Sequence, residues 1–119
     1  MKKPIAFCLV VGLAACATPA ELRKEKPTLE LTSSRSAKLV AICIADRWED
    51  AGPFGNPLPI RMRPTSDGFT VSVISEFVGD TWYLADLSDI PNGSQTKYFR
   101  NNSMFLNLSA IENAVKECQ

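Results

Sequence analysis

The chain has 119 residues, with 13 Lys and Arg against 13 Asp and Glu and no histidine. That length supports one domain and not comfortably two, and balanced charge without a dense basic run argues against a nucleic-acid partner. The missing histidine removes the usual general base, the Ser–His and Cys–His nucleophile pairs and the common zinc ligand sets.

The chain opens Met1-Lys2-Lys3-Pro4 and then runs apolar from Ile5 to Ala15. Two lysines ahead of such a run form the basic and hydrophobic parts of an export signal. The run is too short for a bilayer span, which needs roughly 20 residues. It ends Leu13-Ala14-Ala15-Cys16, which resembles the lipobox of bacterial lipoprotein precursors. That resemblance covers residues 1–16. It implies a diacylglyceryl group on the Cys16 sulfur, cleavage ahead of Cys16 and acylation, typically with palmitate, of the new amino group. Two or three acyl chains anchor durably where one does not. Ala17, rather than an aspartate, follows the cysteine, and within the resemblance this favours the outer membrane, on the side facing the periplasm. Removing residues 1–15 leaves 104 residues and a net charge of about −2, since Lys2 and Lys3 depart.

Residues 16–35 carry the lipidated cysteine and a flexible tether, with Pro19, Pro27, mixed charges and no sustained apolar stripe. A coil of that length would hold the domain about 25 Å from the membrane on average. Leu29 and Leu31 alternate with polar neighbours, so a short edge strand is the alternative there.

The domain proper spans residues 36–119. Ser34-Arg35-Ser36 offers N-cap oxygens for a helix from Ala37. Along it Ala37, Val40, Ala41, Ile44, Trp48 and Ala51 share one face. Gly52-Pro53 stops it, and a proline-rich loop follows over residues 53–59. Four strands are then expected in succession, over 58–62, 69–74, 81–85 and 96–100. They are separated by turn signals at Asp67-Gly68, Gly79-Asp80 and Pro91-Asn92-Gly93-Ser94. A last helix carries Ile111, Ala114, Val115 and Cys118 on one face, with Ser109 and Glu112 spaced as a capping box. The class is α+β: a four-stranded antiparallel sheet with two helices packed on one face.

Of four cysteines, Cys8 leaves with the signal and Cys16 takes the lipid. Cys43 and Cys118 remain, and in an oxidising compartment they are expected to form one structural disulfide joining the helices. No C-x-x-C spacing suggests redox cycling.

Functional candidates are few. The aromatics Trp82-Tyr83 and Tyr98-Phe99 are neighbours on strands, so one of each pair lies off the core. Tyr83 and Tyr98, with Arg61, Arg63, Arg100 and the neighbouring Lys97, form the candidate binding surface on the open sheet face. The carboxylate pairs Glu49/Asp50, Asp86/Asp89 and Glu76/Asp80 are the alternative, for a small hydrolase acting on cell-wall material. The 53–59 loop suits an inhibitor of a lytic enzyme. The Asn-x-Ser triplets at 92, 101 and 107 match a glycosylation pattern and are read as chance. No metal site and no cofactor are expected. The overall expectation is a non-enzymatic binding or structural module of the envelope, held to the membrane through Cys16 and facing another envelope protein or a cell-wall component. It resembles the small periplasmic lipoproteins of proteobacteria.

Overall fold

The computed structural model describes residues 18–75, 79–101 and 108–119. The segment expected to be an export signal, Cys16 and Glu76 lie outside the described residues. The elements in chain order are α1 (Pro19–Arg23), β1 (Leu29–Ser33), α2 (Ala37–Glu49), a short 3-10 turn (Pro53–Gly55), β2 (Ile60–Pro64), β3 (Gly68–Ile74), β4 (Thr81–Ile90), β5 (Gly93–Arg100) and α3 (Leu108–Glu117). No helix among the described residues is long and apolar enough to cross a membrane.

The sheet has five antiparallel strands, ordered β1-β5-β4-β3-β2, rather than four. The additional strand is the segment read as tether. Leu29 meets Tyr98 and Ser33 meets Ser94, so the first strand pairs with the last. Two alternating leucines are a weak strand signal, and the outer edge of β5 supplies the backbone partners that sequence alone does not reveal. α1 is likewise new. Thr18 Oγ1 accepts from the Glu21 amide at 3.2 Å, and proline occupies its first position.

α2 begins as expected, with Ser36 Oγ accepting from the Leu39 amide at 3.3 Å. The Asp89 carboxylate accepts from the Ala37 amide at 2.9 Å, adding a negative charge at the helix N-terminus. Ala37, Val40, Ala41, Ile44 and Trp48 are fully buried. They pack on Val71, Val73, Tyr83, Ala85, Leu87 and Tyr98 from one sheet face, and on Ile111, Ala114 and Val115 of α3 and Cys118 just after it. Trp48 is central to this layer. Its ring lies 6.2 Å from that of Tyr83 and 6.0 Å from that of Tyr98, and its Nε1 donates to the Ile111 carbonyl at 3.0 Å. The Cys43–Cys118 disulfide, with Cα atoms 5.7 Å apart, joins α2 to α3, and Arg47 pairs with Glu117 beside it.

Both helices expected from the sequence therefore lie on one face. The opposite face carries α1, whose Leu22 forms a second small core with Leu84 and Phe99. At the β4–β5 turn Asn92 and Gly93 have positive φ. A Cβ at Gly93 would stand 1.9 Å from the Ser33 carbonyl oxygen, so glycine there lets β1 approach β5.

Candidate functional site

Strand alternation sorts the sheet residues into two faces. Toward the helices point Ile60, Met62, Val71, Val73, Tyr83, Ala85, Leu87, Thr96 and Tyr98. Toward the other side point Arg61 and Arg63 of β2, Thr70 and Ser72 of β3, Leu84 and Asp86 of β4, and Lys97 and Phe99 of β5. Register aligns these into rows. Arg63, Thr70, Asp86, Lys97 and Glu30 follow one another across all five strands, and Arg61, Ser72, Leu84 and Phe99 form the neighbouring row.

Tyr83 and Tyr98 do not belong to this surface. Both are completely buried against Trp48 under the helices, which corrects their assignment to the open face. Tyr83 shares its parity with Ala85 and Leu87, an uncharged series, while the opposite parity carries Asp86. Tyr98 shares the inner side with Ser94 and Thr96. These polar residues are buried because Ser94 Oγ donates to the Arg35 carbonyl at 2.8 Å and Thr96 meets the Gln119 side chain. Burial raises the Tyr83 phenol to about 12 and drives that of Tyr98 further up for the same reason.

Arg100 is also misplaced in the sequence reading. It falls on the helix side of β5, where its Nη1 donates to Glu112 Oε2 of α3 at 2.9 Å. That bond ties β5 to Glu112 on α3. Trp82 is half-buried and packs against the main core.

Arg61 and Arg63 remain on the open face. Both are exposed, and no ion pair involves either among the described residues. Beside them lies a residue the sequence reading missed. Arg23 of α1 donates from Nε to Asp86 Oδ2 at 2.8 Å and from Nη2 to Asp86 Oδ1 at 2.9 Å. Thr70 Oγ1 donates to the same Asp86 Oδ1 at 2.9 Å. The fork-on-fork geometry fixes α1 in orientation as well as position, and the hydrogen bonds to Asp86 raise the Arg23 pKa further. No local pattern marks a pair 63 residues apart. The helix itself does have a signature, in Thr18-Pro19-Ala20-Glu21.

α1 leaves two clefts that share Arg23, Thr65 and Thr70 in their walls. One, of about 400 Å³, runs toward Asp86, Gln95 and Lys97. The other, of about 270 Å³, is bounded by Pro19, Arg61, Arg63, Pro64, Ser72 and Ile74. The second joins Arg61 and Arg63, which have no ion-pair partner among the described residues, to hydroxyls and apolar rims. Its chemistry suits an anionic group, with guanidinium forks matching phosphate or carboxylate oxygens.

The other candidates are placed as follows. Asp86 holds Arg23 and Thr70, and Asp89 holds the α2 N-terminus, so each carboxylate of that pair has a structural partner. Glu49 and Asp50 are exposed at the end of α2. Among the described residues no three Cys, Asp or Glu side chains are grouped as metal ligands. In the 53–59 loop, the Leu58 amide donates to the Glu49 carbonyl at 3.1 Å and the Leu58 side chain is buried, which pins the base. Phe54 at the tip has φ +57 and is 99% exposed. Searches against protein families, curated proteins and solved structures each returned no match.

Proposed function

We propose that this protein is a lipid-anchored module of the bacterial envelope that works by binding rather than by catalysis. Its recognition surface is the open sheet face beside α1, and its partner is an anionic envelope component. Cys16 carries the lipid, residues 1–15 are the export signal, and the anchor holds the domain on the periplasmic side of the outer membrane. One observation carries the binding reading: Arg61 and Arg63 stand exposed on an edge strand in the wall of a cleft, with no carboxylate partner among the described residues.

The test is in-cell photo-crosslinking of the full chain from positions 66 and 97, with position 39 on the exposed side of α2 as control, followed by mass spectrometry. A discrete adduct from 66 or 97 that disappears with Arg61→Glu/Arg63→Glu supports the surface. Adducts from 39 alone would refute it. Labelling with a palmitate analogue, lost on Cys16→Ala, tests the anchor separately.

A second reading rests on Phe54. A fully exposed aromatic on a pinned, left-handed turn is an inserting element of the kind an enzyme inhibitor presents. Adducts from position 54 to a lytic enzyme, lost on Phe54→Ala, would favour it over the sheet face.

A further inference from the structure

α1 starts at the cleft. Pro19, its first residue, lines the wall shared with Arg61 and Arg63. Cys16 precedes Pro19 by three residues, and three Cα steps span no more than about 11 Å. The coil-like spacer of about 25 Å expected from composition is therefore not there. α1 is fixed to the sheet by Leu22 on Leu84 and Phe99, and by Arg23 on Asp86.

Resting on the reading that Cys16 is lipidated, we infer that the cleft takes the phosphate of an anionic phospholipid in the same bilayer, so that the sheet face sits on the membrane surface. Three features support this beyond proximity. Arg61 and Arg63 are two apart on a strand and thus about 7 Å from each other on one face, a spacing that lets both forks reach one headgroup. Arg23 does not compete for the anion, because Asp86 already takes its charge. The rim is apolar at Pro19, Pro64 and Ile74, which fits the boundary between headgroups and acyl chains. The chain from Pro19 to Lys26 adds Arg23, Lys24 and Lys26 against Glu21 and Glu25, so it does not reverse the sign.

The test uses the full lipoprotein purified with its anchor and reconstituted in vesicles. These are either phosphatidylcholine alone or a mixture with one lipid in three phosphatidylglycerol. A nitroxide is attached at Ser66→Cys, beside the cleft, or at Asn113→Cys on α3 as control, the native disulfide staying oxidised. Collision with a water-soluble nickel complex reads the exposure of each site. The expected result is shielding of position 66, not 113, in anionic vesicles only. Arg61→Gln/Arg63→Gln should lower the docked-to-free ratio about thirty-fold, from roughly fivefold per arginine beside an anionic surface, and salt should act in the same direction. Equal exposure of position 66 in both vesicles, with the protein still membrane-bound, overturns the headgroup site and leaves the anchored module standing. Shielding that needs an added envelope protein rather than phosphatidylglycerol also overturns it. Absence of the diacylglyceryl mass on Cys16 overturns the anchor, and this inference with it.

Discussion

Replacing Leu22 by alanine should release α1 without unfolding the domain. The helix has five residues, far below the length at which an isolated helix holds in water, so its order must come from docking. The Arg23–Asp86 pair is partly solvated, with side chains 42% and 27% exposed, and pairs of that kind contribute less than about 1 kcal/mol. Leu22, by contrast, is 6% exposed against Leu84 and Phe99. Its truncation removes three carbons at about 0.8 kcal/mol each, or roughly 2.4 kcal/mol. Because opening of α1 breaks few other contacts, that loss should appear as local opening. The Lys24 and Glu25 amides, which donate to the Glu21 and Leu22 carbonyls at 3.2 and 3.1 Å, should exchange about fifty-fold faster. Amides of β4 should change much less, and a dye that binds apolar surface should report newly exposed Leu84 and Phe99. The assay is hydrogen exchange read by NMR on the full chain. Protection of Lys24 and Glu25 within threefold of the parent would refute the reasoning and assign α1 to its Thr18 cap and Arg23 instead.

The disulfide closes a separation of 75 residues, for which the chain-entropy model gives about 4.5 kcal/mol. Cys43→Ala/Cys118→Ala should therefore lower Tm by roughly 20 °C in calorimetry. A drop of a few degrees would mean that Trp48–Ile111 and Arg47–Glu117 already hold α3. Alkaline pH should destabilise the fold. The Tyr83 phenol ionises at its ordinary 10 when unfolded but near 12 when folded, so unfolding releases a proton above pH 10. Stability is intact below that pH and falls by about 1.4 kcal/mol per pH unit for each buried tyrosine as pH rises toward 12. Urea midpoints at pH 9 and pH 11 measure it, and Tyr83→Phe should flatten the slope. Gly93→Ala sets a Cβ against the Ser33 carbonyl and should cost about 2–4 kcal/mol, seen as loss of exchange protection in β1 before the rest of the sheet.

Much of the fold was legible where periodicity ran long enough. α2 declares its five buried residues at helical spacing, and Cys118 on the stripe of α3 predicts the bridge to Cys43. The meander β2 to β5 follows from alternation and turn residues. β1 and α1 were less legible because each is five residues long and draws its stability from a distant partner, β5 for one and Leu84 with Asp86 for the other. The face of Tyr83 was readable from the charge at Asp86, one parity away. That of Tyr98 was not, because β5 places Ser94, Thr96 and Arg100 inward and Phe99 outward, and Phe99 is then covered by Leu22. Apolarity cannot orient such a strand. Arg61 and Arg63 were read correctly as outward because Ile60 and Met62 flank them in strict alternation.

The strand order also sets a sequence of events in time. β2, β3, β4 and β5 are neighbours along the chain and form hairpins as they arrive, whereas β1 leaves the ribosome first and must wait for the residues from Gly93 to Arg100. Until then the outer edge of β5 is bare, with unpaired amides and carbonyls that any extended segment can take. The finished molecule fills that edge with its own Leu29–Ser33. During refolding, closure within one chain competes with the same segment of another, and the exchanged product is a dimer bearing the identical five-stranded sheet. Its yield should rise with protein concentration.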